Sequence, residues 1–144
     1  MEKLKCCRAQ ITMIKILVNG TFDIVHSGHV ELLNYAKGLG DWLLVCIDTD
    51  RRVKELKGQS RPINNQHDRK FILQNLQAVD AVRFFDSAEE LEEICKIYHP
   101  DIMVKGNDYQ HKPIVGGQYC KEIKFYERTD HSTTNTIQNI INRG

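Results

Sequence analysis

Two histidines stand three residues apart around a glycine, just after an apolar run that ends in Asn-Gly. The stretch combines small residues, a carboxylate and two imidazoles: Asn19, Gly20, Thr21, Phe22, Asp23, His26, Gly28 and His29. Gly20 lets the backbone approach a phosphate, and a helix that begins near Gly28 offers free N–H groups to an anion. Histidine donates hydrogen bonds to phosphate oxygens and stabilises charge on a leaving group. The spacing therefore predicts phosphate chemistry with His26 and His29 as catalytic residues, whereas zinc is disfavoured because no third ligand stands nearby.

A basic stretch follows the next apolar run. Between positions 51 and 70 there are seven basic residues and two acidic ones, and Lys57 and Arg61 stand among them beside Gly58 and Pro62. A solvated charged surface does not need a glycine and a proline to fix the backbone around its charges. The stretch is therefore predicted to be a basic loop that binds a triphosphate and a second phosphorylated substrate.

Two further polar stretches follow predicted strands near the end of the chain. Lys105, Gly106 and Asp108 come directly after an apolar run and are candidate nucleotide-binding residues, although Asn107-Asp108 is also ordinary turn chemistry. The second set precedes the last helical pattern, and its members are Arg128, Ser132, Thr133 and Thr134. Hydroxyls and free N–H groups at a helix N-terminus can hold the outer phosphates of a triphosphate.

The elements that must position these residues alternate between strands and helices. Apolar runs predict strands over residues 14–18, 42–47, 82–85, 101–104 and 123–126. Helical spacing predicts helices over residues 28–39, 72–79, 91–98 and 137–141. This alternation predicts one α/β domain over residues 13–144, with a five-stranded parallel sheet and helices on both faces, preceded by a loose tail over residues 1–12. Ligands of such sheets bind at the carboxyl ends of the strands.

Composition and missing motifs exclude several classes of protein. The 144 residues carry 20 basic and 19 acidic side chains, so no whole-molecule field attracts nucleic acid. No apolar run approaches the 18 residues of a membrane span. The five cysteines are odd in number and have no C-x-x-C spacing, which favours a reducing cytoplasm and no metal site. The P-loop motif and the G-x-G-x-x-G dinucleotide motif are both absent.

The motif G-T-F-D-x-x-H-x-G-H resembles the signature of the cytidylyltransferase-like nucleotidyltransferases, and the resemblance covers residues 14–143. It implies a small Rossmann-like domain. Within that family, L-K-G-x-x-R-P-[IV]-N and V-K-G-x-D-Y resemble the heptose 1-phosphate adenylyltransferase domain that makes ADP-heptose. The pair Arg128-Thr129 is instead similar to the glycerol-3-phosphate cytidylyltransferases, and S-T-T matches the family generally.

The resemblance implies transfer of a nucleotidyl group from a nucleoside triphosphate, with ATP favoured, to a sugar phosphate such as heptose 1-phosphate, releasing pyrophosphate. It implies Mg²⁺ with the nucleotide, a homodimer, and catalytic roles for Lys57 and Arg128 beside the two histidines. The substrate phosphate is expected at a set of charged residues, with the arginine that opens a helix facing the site: Asp23, Lys57, Arg61 and Arg69. The alternatives are a CTP-dependent glycerol-3-phosphate cytidylyltransferase and a non-catalytic nucleotide-binding module.

Overall fold

The computed structural model describes residues 12–127 and 133–143. Within these ranges the strands form one all-parallel sheet in the order β3-β2-β1-β4-β5. Their bounds are β1 Lys15–Gly20, β2 Trp42–Asp48, β3 Ala81–Phe85, β4 Ile102–Gly106 and β5 Glu122–Tyr126. The five-stranded parallel sheet predicted from the sequence is confirmed. The tail predicted over residues 1–12 lies, except for residue 12, outside the described residues.

The helices of the described chain fill the connections between strands. They are α1 Ser27–Gly38, α2 Asp50–Lys57, α3 Gln66–Gln74, α4 Ala88–Tyr98 and α5 Thr133–Arg143, with short 3₁₀ turns at Asn107–Tyr109 and Gly117–Tyr119. Four of them begin at a side chain that accepts a hydrogen bond from the first turn: His26 for α1, Thr49 for α2, Asn65 for α3 and Ser87 for α4. None of the helices within residues 12–127 and 133–143 is long and apolar enough to cross a membrane.

Both faces of the sheet are covered by apolar packing. On one face Ile16 and Val18 of β1 pack with Leu33 of α1 and Leu73 of α3. Because successive side chains of a strand point to opposite faces, Leu17 belongs to the second core, which α4 covers. The other members of that core are Leu44, Cys46, Phe85, Leu91, Ile94, Cys95 and Met103. Helices on both faces are therefore confirmed.

Two predicted segments differ from the structure. The stretch predicted as a basic loop over residues 51–70 contains α2 and the start of α3. Sequence periodicity missed α2 because Val53 is its one buried residue, whereas the Thr49 cap and a polar helix surface define it. The helix predicted over residues 72–79 ends at Gln74, and Leu76 and Val79 pack on the core from the turn that follows.

The order of the strands creates a crevice between β1 and β4. The chain runs from β1 outward through β2 to β3, and then crosses to β4 and β5 on the other side. Neighbours β1 and β4 pair through Ile16 with Ile102 and Leu17 with Met103. At such a switch point the connections leave the two strands in opposite directions, which opens a ligand site beyond their carboxyl ends.

Candidate active site

A cavity of about 440 Å³ opens at this switch point. It brings together most of the residues singled out from the sequence: Asn19, Gly20, Thr21, Phe22, Asp23, His26, Gly28, His29, Lys57, Arg61, Lys105, Gly106, Thr133 and Thr134. Arg69 and Asp108 are not part of its lining, and Arg128 and Ser132 lie outside the described residues. Four chain segments distant in sequence therefore converge on one concave surface.

The two histidines cap the helix from which they project. His26 is the N-cap of α1, and its Nδ1 accepts a hydrogen bond from the Gly28 amide at 3.1 Å. His29 Nδ1 accepts from the His26 amide at 3.3 Å, which completes a capping box. The rings stack with centroids 3.9 Å apart. Because Nδ1 is the acceptor in each neutral ring, the ring proton lies on Nε2, and each imidazole carries an N–H donor on the opposite side.

The loop that leads to the histidines holds an unusual backbone conformation. Phe22 and Ile24, both non-glycine residues, have positive φ angles of 53° and 50°. Such conformations persist where the surroundings fix them. The fixing contacts come from neighbouring segments: the Thr133 hydroxyl donates to the Asp23 carbonyl, and the Arg69 guanidinium donates to the Thr21 carbonyl. Gly20 leaves room for the Phe22 ring, since a Cβ there would lie 3.1 Å from it.

Asp23 joins the histidine loop to the segment after α2. Its carboxylate is 1% exposed and accepts from the amides of Ile63 at 2.7 Å and Asn64 at 2.9 Å. Arg61 Nε lies 3.7 Å from the same carboxylate. The Nε and Nη2 atoms of Arg61 are buried with no hydrogen-bond partner in the protein, and the side chain lines the cavity. A buried guanidinium with unused donors is costly, and an anionic ligand would satisfy it.

Arg69 occupies a different place from the one expected from the sequence. Instead of facing the site, its side chain is fully buried. Its Nε donates to the Asn64 carbonyl at 3.0 Å, Nη1 to the Thr21 carbonyl at 2.9 Å and Nη2 to Asp50 at 2.8 Å. Every guanidinium nitrogen is thus used by the protein. The position of this arginine on a helix was predicted from the sequence, but the direction of its side chain was not.

Lys105 reaches across the switch point. Its Nζ donates to Asn19 Oδ1 at 2.8 Å and lies 4.7 Å from the centre of the Tyr109 ring. Burial lowers the pKa of this ammonium below its ordinary value, while the nearby carboxylates of Asp48 and Asp108 act in the opposite direction. Asp108 itself is exposed on the 3₁₀ turn. A partly desolvated cation held at the end of β4 suits a negatively charged ligand.

Two charged residues of the cavity were missed in the sequence. Asp48 ends β2, and its carboxylate accepts from Thr21 Oγ1 at 3.3 Å and Arg52 Nε at 2.9 Å. Both Asp48 and Arg52 line the cavity. The signal for Asp48 was available, since it ends the strand next to β1 and ligands bind at strand ends. Arg52 stood within the basic stretch, but nothing in the sequence separated it from its neighbours.

The sheet order and the cavity beyond the strand ends put this chain among the α/β proteins with a ligand site at the switch point. A family model described as cytidylyltransferase-like matches residues 17–138. The chain belongs to the cytidylyltransferase-like family, as the G-T-F-D-x-x-H-x-G-H motif indicated.

Curated relatives share the name bifunctional protein HldE. The protein from Aliarcobacter butzleri is 46% identical over 141 residues, which cover 97% of this chain and 29% of that protein. The protein from Campylobacter fetus is 46% identical over 140 residues, which cover 96% of this chain and 30% of that protein. The chain thus spans less than a third of the length of these relatives.

Solved structures share the fold. A lipopolysaccharide core biosynthesis protein from Thermoplasma volcanium superposes with a TM-score of 0.64 at 24% identity, covering 84% of this chain and all of that one. Pantoate-beta-alanine ligase from Francisella tularensis, solved with beta-gamma ATP and beta-alanine, superposes with a TM-score of 0.60 at 17% identity, covering 99% of this chain and 74% of that one. At these identities the likeness shows the fold alone.

Proposed function

We propose that this chain is a nucleotidyltransferase that transfers the adenylyl group of ATP to a sugar phosphate, such as heptose 1-phosphate, and releases pyrophosphate. A phosphate oxygen of the sugar phosphate attacks the α-phosphorus in line, and the bond from that phosphorus to the bridging oxygen of the pyrophosphate breaks. No covalent enzyme intermediate is required, so the protein contributes position and charge. The observation that carries the proposal is the stacked, capped pair His26 and His29 at the mouth of the switch-point cavity.

The histidines supply donors where charge develops. With Nδ1 of each ring held by a main-chain amide, the Nε2–H groups of His26 and His29 can donate to the pentavalent phosphorus centre and to the departing pyrophosphate. The N-terminus of α1 adds its partial positive charge at the same place. Donors fixed before the reaction cost no reorganisation when the negative charge moves to the leaving group.

The remaining cations and hydroxyls divide between the two substrates. Thr133 and Thr134 at the N-terminus of α5, with Arg128 and Ser132 before it, would hold the outer phosphates of ATP. Lys57 at the end of α2 and Arg61 would hold the phosphate of the acceptor sugar, since Arg61 has buried donors without protein partners. Asp23 and Arg69 would act on the same phosphate indirectly. Asp23 holds the segment that carries Arg61, and Arg69 holds both that segment at Asn64 and the histidine loop at Thr21.

Mg²⁺ is part of the proposal as a companion of the triphosphate. Within residues 12–127 and 133–143 no three His, Cys, Asp or Glu side chains converge on a metal position. Mg²⁺ is commonly held by one or two carboxylates together with substrate phosphates and water, and Asp48, whose carboxylate lines the cavity, fits that mode. When bound, the ion would neutralise part of the charge of the phosphates.

We further propose a cytoplasmic homodimer that acts on small molecules rather than on nucleic acid or membranes. The described cysteines Cys46, Cys95 and Cys120 are free thiols, which suits a reducing compartment. Helix α5 leaves Ile140 and Ile141 64% and 62% exposed, an apolar face that a second copy could cover. Light scattering of the purified chain measures the mass directly.

Release of pyrophosphate tests the proposed reaction. The chain is incubated with Mg²⁺, one of ATP or CTP, and one of heptose 1-phosphate or glycerol 3-phosphate, and the pyrophosphate formed is measured. We expect the highest rate for ATP with the sugar phosphate. The highest rate for CTP with glycerol 3-phosphate would favour the cytidylyltransferase alternative, and nucleotide binding without turnover of any pair would favour a non-catalytic module.

A further inference from the structure

Two thiols meet beneath one wall of the cavity. Cys95 lies on α4 and is fully buried, whereas Cys120 lies between the Gly117–Tyr119 turn and β5 and is partly exposed. Cys120 packs against the same apolar core that contains Cys95, and both sulfurs lie against Gly116. The pair joins a helix on the face of the sheet to the connection between β4 and β5.

Gly116 sits against both sulfur atoms. Cys120 Sγ contacts the Gly116 carbonyl oxygen at 3.6 Å, and a Cβ added to Gly116 would lie 2.5 Å from Cys95 Sγ. The φ angle of 79° at Gly116 turns the chain at this point. Ile114 and Val115, which line the cavity, directly precede it. Backbone hydrogen bonds from Gly117 to Ile114 and from Cys120 to Gly117 make the segment one connected turn.

We propose that Cys95 and Cys120 are a redox-active pair which hydrogen peroxide converts to a disulfide, and that this bond displaces the cavity wall at Ile114 and Val115 and weakens nucleotide binding. The Cys120 thiolate attacks one peroxide oxygen, the O–O bond breaks, and protonation gives a sulfenic acid and water. The Cys95 sulfur then attacks the sulfenic sulfur, its proton leaves with the hydroxyl as a second water, and the S–S bond forms. The two thiols together lose two electrons, and one hydrogen peroxide is reduced to two waters.

The two thiols differ in acidity and exposure, and these steps require that the attacking thiol be the more acidic and the more exposed of the two. The hydrogen bond from Cys95 lowers the pKa of the Cys120 thiol, whereas the same bond, together with burial, raises the pKa of Cys95. Cys120 is also the more exposed sulfur, so it meets the oxidant first. Cys46, in the same core, has its pKa raised to about 12 mainly by burial and is the inert thiol for comparison.

Forming the bond must move the wall. A disulfide brings the two sulfurs to about 2 Å from each other, and Gly116 already lies against both. Cys95 is anchored in the core by α4, so the displacement falls on the short turn that carries Cys120, Gly116 and the two cavity residues. The pocket wall therefore changes shape with the oxidation state of the pair.

The test uses the full chain with Cys6 and Cys7 changed to serine, so that the described thiols alone can react. After treatment with hydrogen peroxide, peptide mass spectrometry is expected to find a Cys95–Cys120 crosslink with the loss of two hydrogens. Amide hydrogen exchange is expected to change at residues 113–120. Titration with ATP and Mg²⁺ is expected to give a dissociation constant at least about fivefold higher, and dithiothreitol should restore all three measurements.

Matched variants separate this mechanism from general oxidation. Cys120→Ser is expected to abolish the crosslink and the change in affinity, while Cys46→Ser is expected to leave both intact. If Cys120→Ser does not fold, the crosslink map of the parent chain decides alone. An unlinked Cys95 and Cys120 after peroxide, or a crosslink that leaves exchange and affinity unchanged, overturns the proposal. A reduced chain that binds no nucleotide contradicts the proposed function instead, and the mass and exchange measurements still judge the thiol pair.

Discussion

His26 combines two tasks in one ring. Its Nδ1 caps α1, and its other edge faces the cavity in which phosphate chemistry is proposed. A capping residue is held in one orientation by the helix that it starts, and the stacked ring of His29 packs against it, so the direction of the donor on Nε2 is fixed. His29 is aimed in the same way by the His26 amide. The H-x-G-H motif therefore orients its own two histidines through the cap of the helix that it begins.

We expect His29→Ala to lower the turnover number by about 10²–10³, as removal of one charge-stabilising donor does. His26→Asn should lower turnover similarly while keeping the cap, whereas His26→Ala should also lower the free energy of unfolding by about 1 kcal/mol. Pyrophosphate release and urea unfolding measure the two effects. His111→Ala, an exposed position outside the cavity lining, is the control. Turnover within a few fold of the parent in the His29 variant would remove the assigned role.

Lys57 is predicted to bind a substrate phosphate from the end of α2. Replacing it with alanine removes one charged donor, and we expect KM for the triphosphate or the sugar phosphate to rise about tenfold. Arg83 provides the matched comparison, because it is exposed on β3 and does not line the cavity. Arg83→Ala should leave the kinetics unchanged. Equal effects from both substitutions would mean that the basic stretch is only a solvated surface.

At the scale of elements, the hydrogen bonds of Arg69 connect three segments of the chain. Helix α3 carries it, and its donors hold the Thr21 carbonyl before the histidines, the Asn64 carbonyl and the first turn of α2 at Asp50. Because one buried guanidinium holds all three groups, the arginine determines how the loops at the strand ends lie relative to one another.

Arg69→Met should therefore lower the free energy of unfolding by about 3 kcal/mol, since it leaves three partly buried acceptors without their donor at about 1 kcal/mol each. Turnover should fall as well, because the histidine loop loses a fixing contact. Urea unfolding is measured beside Lys54→Met, an exposed position on α2 that should cost little. Unchanged stability combined with lost turnover would restore the substrate-binding role that the sequence suggested.

The predictability of an element depended on how its apolar residues are arranged. Strands β1, β2 and β4 were found because their buried residues are contiguous, as over residues 43–47, where every residue is nearly or fully buried. Helix α4 was found because Leu91, Ile94 and Cys95 repeat at helical spacing. Helix α2 was missed because its single buried residue gives no period, and α3 was drawn too long because Leu76 and Val79 continue the period beyond the end of the helix.

The site was predictable where its residues follow one another in sequence. Eight of the residues between positions 19 and 29 line the cavity, because a strand end and a helix start are fixed by local signals. Side-chain direction across long separations was not predictable. Arg61 and Arg69 stand eight residues apart in the same basic stretch, yet one faces the cavity and the other is enclosed by the protein.

At the scale of the whole molecule, the choice of base is a property of several segments at once. Leu56 and Lys57, and Lys105, Gly106 and Tyr109, line the cavity from its two sides. Both sets belong to motifs that resemble the adenylyltransferases, while Arg128-Thr129 alone favours the cytidylyltransferases. Motifs in two separate segments of the pocket therefore favour the adenylyltransferases over the single match to the cytidylyltransferases.

We therefore expect ATP to bind at least about tenfold more tightly than CTP, because a mismatched base leaves buried polar groups unpaired at about 1–3 kcal/mol each. Isothermal titration of both nucleotides in the presence of Mg²⁺ measures the difference. Titration of the Arg83→Ala variant should reproduce the same preference. Tighter binding of CTP would contradict the adenylyl assignment and leave the fold and the transfer chemistry as they are.

The strand order also determines the stage of folding at which the cavity between β1 and β4 can form. Strands β1, β2 and β3 with their helices involve neighbours in the chain, whereas Asn19 and Lys105 are separated by 86 positions and Asp23 and Thr133 by 110. Contacts between such distant segments carry the cost of closing long loops and form slowly. We expect β1, β2 and β3 to assemble first, when only one side of the crevice is formed. Ligand binding can then begin only when β4 docks, so the onset of binding during refolding indicates that the last third of the chain has folded.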